Sequence, residues 1–303
     1  MTRPLRVGLQ LPEVEREVRW PELVDLARAI DDLGFDAIWV GEHLLYRWAS
    51  RPARGPWEAW TLMAALAAST SRATIGPLVA CTAFHNPALL AKQAATIDEI
   101  SNGRFVLGLG AGWNETEFLA FGFPFDHRIS RFAEAFTIIR TLLREGRIDF
   151  DGEFFQARNC ELLPRPHAPG GPPLMVGSVG PRMLEITLPY VEQWNVWYRQ
   201  SNNSVEGLRP ILAQVDEACR AVGRDPGTLE KTSAILVGMG GSGRVTKYDE
   251  GEIAPLQGST TELADALRAY GELGLAEVQL VVDPITIESI EALAPVLAEL
   301  DKG

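Results

Sequence analysis

The 303-residue chain has little cysteine and no excess of positive charge, and each shortage excludes a class of protein. Cys81, Cys160 and Cys219 are odd in number and lie far apart, so the sequence shows neither a disulfide framework nor zinc-ligand spacing. The chain has 28 basic and 40 acidic residues and a formal net charge of −12. A polyanion would be repelled by this charge, which argues against a general binder of nucleic acid or of anionic membranes.

Long apolar runs and metal-binding patterns are also missing. No apolar run approaches the roughly 18–20 residues of a membrane span, and the N-terminus shows no signal-peptide hydrophobic region. Among the four histidines, His85, His127 and His167 lie in predicted loops without a two-histidine, one-carboxylate spacing, so we predict no metal. We expect a cytoplasmic protein that acts on a small molecule, with no nucleic-acid or membrane partner. Whether it is a homodimer is left open.

The chain does contain a regular alternation of apolar runs and helical patterns. Short buried strands alternate with amphipathic helices until eight such units have been counted, which predicts an α/β fold of the (β/α)8 TIM-barrel type in one domain, 1–303. The predicted strands cover, in order, 6–11, 37–40, 74–80, 104–109, 173–176, 193–197, 231–239 and 277–282. The competing fold is a doubly wound open sheet, but the first strand-to-helix turn, 12–19, lacks the glycine fingerprint of that fold.

Two longer connections interrupt the alternation and predict insertions after strands four and seven. Residues 147–170 contain a hairpin signal with a tight turn at Asp151-Gly152, followed by a proline-rich exit. Residues 240–258 form a glycine-rich loop. We interpret both as excursions from the barrel.

Glu42 and His43 follow the second predicted strand directly. Ligands and catalytic groups collect at the carboxyl ends of barrel strands, and a histidine titrates near neutral pH, which suits it to proton transfer. A structural role for the histidine is the alternative. Neighbouring strand residues point to opposite faces, so both side chains can face inwards only if the strand has already ended.

Two glycine-bearing segments are candidates for cofactor contact. Gly110, Gly112 and Trp113 follow strand four, where small residues would let a flat ring lie close to the backbone; a tight rim without ligand is the alternative. The segment 177–182, Gly-Ser-Val-Gly-Pro-Arg, lies between a buried strand and a helix, so its amides and Arg182 could bind a phosphate. A turn without an anion is the alternative there.

Together these residues resemble the luciferase-like flavin oxidoreductase family, in particular the actinobacterial branch that uses the deazaflavin coenzyme F420. The resemblance covers nearly the whole chain and is carried by the segments 37–43, 55–60, 86–92, 101–104, 107–113, 177–182 and 222–226.

The resemblance implies a barrel with the flavin-like ring at its C-terminal mouth and an acidic-histidine pair at Glu42 and His43. It also implies a bulge in strand three near Leu78-Val79, which in family members often contains a non-proline cis peptide behind the ring. Strand three ends in small side chains, among which Cys81 is better suited to packing or cofactor contact than to thiol chemistry. The expected cofactor-binding residues are Leu78, Val79, Cys81, Thr82, Gly110, Gly112, Trp113, Gly177, Ser178, Val179, Gly180, Pro181 and Arg182.

The expected function is hydride transfer between coenzyme F420 and an organic substrate, with His43 and Glu42 as catalytic residues. An FMN-dependent luciferase-like monooxygenase on the same barrel is the alternative, and a barrel that binds the cofactor without catalysis is a third. One departure from the family counts against a sugar-phosphate substrate. Trp113 stands near the position of the catalytic glutamate of the deazaflavin-dependent sugar-phosphate dehydrogenases, so Glu115 or Glu117 would have to replace it.

Overall fold

The computed structural model describes residues 3–48, 51–240 and 253–302. Its strands, in chain order, are β1 (Arg6–Gln10), β2 (Ala37–Val40), β3 (Tyr46–Trp48), β4 (Arg51–Arg54), β5 (Thr74–Pro77), β6 (Ala80–Cys81), β7 (Leu107–Gly110), β8 (Arg147–Asp151), β9 (Gln156–Glu161), β10 (Leu174–Gly177), β11 (Gln193–Val196), β12 (Glu230–Gly238) and β13 (Glu277–Asp283). Its α-helices are α1 (Trp20–Asp32), α2 (Ala59–Ser69), α3 (Pro87–Ile100), α4 (Glu115–Phe121), α5 (Arg128–Glu145), α6 (Pro181–Thr187), α7 (Val205–Ala221), α8 (Thr260–Glu272) and α9 (Ile287–Leu300).

The parallel strands close into a barrel. Their order is β5-β2-β1-β13-β12-β11-β10-β7-β6, and β5 and β6 are the two halves of one interrupted strand. Because both ends of the order belong to the same chain segment, no open edge is left between them. A parallel bridge between Ile75 and Phe105 completes the closure. The predicted (β/α)8 barrel is confirmed.

Local signals at the helix ends explain why the elements begin and end where they do. The Asn86 side chain accepts hydrogen bonds from the first amides of α3, and Pro87 occupies the first position of the helix. Ser259 and Glu262 form a reciprocal capping box at the start of α8. After α1, Gly34 adopts a φ of +91°, which glycine accommodates without strain.

The connections of the barrel differ in part from the prediction. The insertion after strand four contains the predicted hairpin, β8 and β9, and also the helix α4, which was not predicted. A second antiparallel pair, β3 and β4, follows β2 and was not among the predicted strands. Most of the insertion predicted after strand seven, residues 241–252, lies outside the described residues. The apolar pattern predicted one strand over 74–80, but the strand is interrupted between Pro77 and Ala80, where the family resemblance implies a bulge.

The barrel interior is filled around one large side chain. Trp39 is fully buried and donates a hydrogen bond from Nε1 to Glu277 Oε1 (2.8 Å). Two neighbouring strands make room for its indole with glycines: a Cβ at Gly8 would lie 2.7 Å from Trp39 Nε1, and one at Gly76 would lie 2.8 Å from Trp39 Cζ3. The interior is therefore a packed core, and functional groups have to sit above it, at the mouth.

Candidate active site

His43 lies just beyond β2, held between side chains from two other parts of the chain. Its Nδ1 is 2.8 Å from Glu117 Oε1 on α4, and its Nε2 is 4.0 Å from Glu13 Oε1 in the loop after β1. Tyr46 donates from its hydroxyl to the same Glu13 oxygen (2.8 Å). The other Glu117 oxygen accepts the backbone amide of Leu44 (2.7 Å). The imidazole is therefore fixed in orientation, and Nδ1 is engaged by a carboxylate.

The electrostatics of this cluster favour a protonated imidazole. Burial alone lowers the pKa of His43. The charge of Glu13 and the hydrogen bond and charge of Glu117 outweigh burial, so the pKa of His43 lies above its usual value. Such a group can give a proton to a substrate at neutral pH and take it back.

Glu42 faces away from His43, although the two residues are neighbours in sequence. Its side chain is buried, and Oε1 accepts hydrogen bonds from Trp60 Nε1 (2.7 Å) and pairs with His85 Nε2 (2.8 Å). Its Oε2 accepts the backbone amide of Cys81 (2.6 Å). The carboxylate thus fixes the chain at the second half of the third barrel strand.

The break in that strand is formed by the Leu78-Val79 peptide, which is cis, as the family resemblance implies. The Val79 side chain fills space left by glycines of the next two strands of the barrel, β7 and β10. A Cβ at Gly110 would lie 2.9 Å from Val79 Cγ2, and one at Gly177 would lie 3.0 Å from the same atom. The glycines therefore accommodate Val79, and together they form a surface of small apolar groups at the mouth.

The segment after β7 places Trp113 beside His43. Gly112 has a φ of +77°, and a Cβ there would lie 2.6 Å from Cys81 Sγ, so the backbone requires glycine. The Trp113 indole is 62% exposed, with its ring centroid 5.6 Å from that of His43. Burial raises the pKa of the Cys81 thiol, which fits packing rather than thiolate chemistry. Thr82, also buried, donates from its hydroxyl to the Gly110 carbonyl (3.3 Å).

The segment 177–182 forms the predicted turn between β10 and α6. The carbonyls of Ser178 and Val179 accept hydrogen bonds from side chains of β11 and α7, so neither presents an unpaired acceptor to an anion. The amide of Gly180 donates to Ser178 Oγ (3.2 Å). The φ of Gly180 is −70°, so its backbone conformation does not require glycine. Pro181 begins α6, and Arg182 donates to Ser130 Oγ (3.0 Å) from an exposed position.

The structure brings together some predicted residues and adds others. His43 and Trp113 meet at the mouth, while Glu42 supports the segment Leu78–Thr82 from behind. Glu13 was missed, since a loop glutamate before an acidic stretch resembles a solvated surface. Within residues 3–48, 51–240 and 253–302, no three His, Cys, Asp or Glu side chains are grouped so as to hold a metal ion.

The model of the luciferase-like monooxygenase family matches residues 6–242, and the chain belongs to this family. Pyrimidine monooxygenase RutA of Methylorubrum extorquens is 36% identical over 173 residues, which are 55% of this chain and 46% of the relative. The F420-dependent hydroxymycolic acid dehydrogenase of Mycobacterium tuberculosis is 30% identical over 241 residues, which are 78% of this chain and 64% of the relative. This chain matches less than two thirds of either relative.

The fold is shared with solved structures. An F420-dependent secondary alcohol dehydrogenase, in complex with an F420-acetone adduct, superposes with a TM-score of 0.79 at 20% identity. The match covers 98% of this chain and 99% of that one. In the part of the chain that the structure describes, every helix is too short or too polar to cross a bilayer.

Proposed function

We propose that the protein is an oxidoreductase that uses coenzyme F420 to exchange a hydride with an organic substrate. The observation that supports it best is the imidazole of His43, oriented by Glu117 and beside Glu13 at the mouth of the barrel. The similarity to the F420-dependent mycobacterial dehydrogenase, which extends over 78% of this chain, favours the deazaflavin.

The residues at the mouth fit a flat ring. Val79 packs against the positions of Gly110 and Gly177, so three strands present an even apolar surface there. At Gly180, directly before α6, an added Cβ would meet only Ser178 Oγ, at 3.7 Å, which leaves space for a ligand at the start of that helix. We propose that the ring lies against Val79, with Leu78, Cys81, Thr82, Gly112 and Trp113 around it.

His43 would carry the proton that accompanies the hydride. A bound deazaflavin supplies or accepts the hydride, and the protein supplies orientation and proton transfer. Glu117 holds Nδ1, so Nε2 would give its proton to the substrate oxygen during reduction and take it back during oxidation. Glu13 would stabilise the imidazolium between these events.

Glu42 remains in the proposed site as a positioning residue. Its hydrogen bond to the Cys81 amide and its pairing with His85 fix the segment behind the ring. The turn 177–182 would hold the cofactor phosphate through Ser178, Val179, Gly180 and Arg182, with Pro181 starting the helix.

An FMN-dependent monooxygenase is the second candidate, favoured by the 36% identity to RutA. Both cofactors need a flat apolar surface and a phosphate site, so the barrel supports either. A barrel that binds the cofactor without catalysis is the third, and for it His43 would be dispensable.

Titration of the purified protein with each oxidised cofactor tests the proposal. We expect F420 to quench tryptophan fluorescence at lower concentration than FMN, and the His43→Ala variant to bind F420 as the wild type does. With a reducible substrate, the variant should lose turnover. Quenching by micromolar FMN with none by F420 would favour the monooxygenase. Tight F420 binding without any substrate-dependent change in absorbance would favour the non-catalytic barrel.

A further inference from the structure

The surroundings of His43 are rich in negative charge. The carboxyl groups of Glu13 and Glu117 flank the imidazole, and both side chains are nearly fully buried. Two arginines nearby are turned to the backbone: Arg54 donates to the carbonyl of Val14 (3.0 Å), and Arg128 donates to the carbonyl of Gly112 (2.7 Å). An anionic group brought to His43 would therefore meet two carboxyl groups at close range, which disfavours its binding.

Aromatic rings cover the other side of the imidazole. The Tyr46 ring centroid lies 4.7 Å from that of His43, and Trp48 stacks on Tyr46 with an interplanar angle of 5°. Trp113 approaches both His43 and Tyr46 and is the exposed member of the group. We call Tyr46, Trp48 and Trp113 the aromatic wall. An exposed indole is suited to pack against a planar apolar body.

A third feature lies on the far side of Glu13. Gln10, at the end of β1, is only 5% exposed, and its Nε2 donates to Glu13 Oε2 (3.2 Å). Only the amide nitrogen can donate to a carboxylate, so this contact fixes the orientation of the amide group. Its Oε1 is buried and has no hydrogen-bond partner among the described residues. Because an unpaired buried acceptor is costly, the site is completed by a donor from a ligand or from water.

From these three features we infer the class of substrate. It is an uncharged molecule with a planar, unsaturated body that packs against the aromatic wall and an O–H or N–H group that donates to Gln10 Oε1. This inference rests on the proposed function for the position of the substrate at His43. Gln10 and Trp113 are the specificity-determining residues. Gln10 recognises the O–H or N–H group of the substrate, and Trp113 recognises its planar ring.

Four matched probes separate the three requirements. They are benzaldehyde with a para hydroxymethyl group, its methyl ether, the benzaldehyde with a para carboxylate, and the saturated cyclohexane analogue of the first. Binding is measured by equilibrium dialysis on the protein with and without F420, and reduction is followed separately with reduced F420. Binding therefore does not depend on turnover.

We expect the hydroxymethyl compound to bind best. The carboxylate should bind about tenfold more weakly or worse. The ether should lose roughly three- to tenfold, since one neutral hydrogen bond is missing, and the saturated analogue should lose a similar factor. Gln10→Leu should abolish the difference in affinity between the alcohol and its ether. Trp113→Ala should abolish the difference in affinity between the planar and the saturated ring. Gln156→Leu and Trp20→Ala, at exposed positions remote in sequence, are the controls and should preserve both differences.

The two proposals can fail separately. The substrate class is wrong if the carboxylate binds as tightly as the hydroxymethyl compound. It is also wrong if both the ether and the saturated analogue bind as tightly as that compound. Either result would decide this even when F420-dependent reduction is seen. Failure of every probe to bind at millimolar concentration would count against it as well. If the preferences hold but no probe is reduced by F420, the substrate class stands and the proposed function fails.

Discussion

At the scale of single residues, the candidate site depends on how charge is arranged around one imidazole. Glu117 contributes a hydrogen bond to Nδ1 of His43, whereas Glu13 acts across 4.0 Å through its charge alone. Both favour the protonated form, and burial opposes it. The protonation state of His43 is therefore controlled by residues that lie far from it in sequence.

This arrangement makes a prediction for the titration of His43. We expect its pKa, measured by NMR on protein with nitrogen-labelled histidine, to lie above its ordinary value of about 6.5. Glu13→Gln and Glu117→Gln should each lower it, because each variant removes a negative charge that favours the imidazolium, while the amide oxygen at position 117 can still accept from Nδ1. Glu115→Gln, exposed on the same helix, is the matched control. A His43 pKa that is unchanged in both buried variants would show that the carboxylates do not govern it.

The sign of the linked effects follows from the raised pKa. A histidine whose pKa is higher in the folded than in the unfolded state makes its full contribution to stability at pH values below the pKa of the unfolded state. That contribution is lost as the pH rises through the pKa of the folded state. Substrate reduction, if it uses protonated His43, should decline over the same pH range, and the decline should move to lower pH in Glu117→Gln.

At the scale of elements, the turn between β10 and α6 is built so that two of its residues can be tested without disturbing the fold. Gly180 has a φ of −70° and open space at the position of a Cβ, so alanine is compatible with its backbone. Arg182 is exposed and bound to Ser130 through one hydrogen bond.

We therefore expect both Arg182→Ala and Gly180→Ala to weaken cofactor binding at unchanged thermal stability. A charged hydrogen bond contributes about 1.5–3 kcal/mol. Since Arg182 is exposed, we expect the lower end of that range, roughly a tenfold loss of affinity. In Gly180→Ala the new methyl group would intrude on the phosphate. Arg209→Ala, an exposed arginine on α7, is the control. Unchanged affinity in both variants, measured by fluorescence titration, would remove this turn from the cofactor site.

The elements also show what the sequence can and cannot predict. The strand patterns located the end of β2 and so the position of Glu42 and His43, because a buried apolar run is a local property. The partners of His43 were not predictable, because Glu117 is 74 positions away and contacts of that range leave no local pattern. The helix α4 was missed because it is short and exposes Leu119 and Phe121, which blurs the helical periodicity.

At the scale of the whole molecule, the mouth depends on the packed interior beneath it. Trp39 crosses the interior from β2, and its Nε1 donates a hydrogen bond to the carboxyl group of Glu277 on β13. Burial raises the pKa of Glu277 and outweighs the opposing effects of Arg6 and of the Trp39 hydrogen bond, so the pKa lies above its usual value. The indole occupies the space of a side chain at Gly8, and at Gly76 a Cβ would meet both the Val106 carbonyl oxygen (2.3 Å) and the indole (2.8 Å). Four strands are thus coupled through one tryptophan.

The last prediction tests this coupling. Trp39→Leu should destabilise the protein by about 3–5 kcal/mol, since it removes the buried indole ring and the donor to Glu277. Gly8→Ala should cost about 1–3 kcal/mol, because its Cβ would lie 2.7 Å from Trp39 Nε1. In the double variant the leucine has no ring atoms in the space that the new methyl group needs, so the loss should be smaller than the sum by about 1 kcal/mol. Urea denaturation measures all three, and Trp20→Leu, at an exposed position, should change stability by less than about 0.5 kcal/mol. Strict additivity in the double variant would mean that Gly8 is glycine for a reason other than the indole.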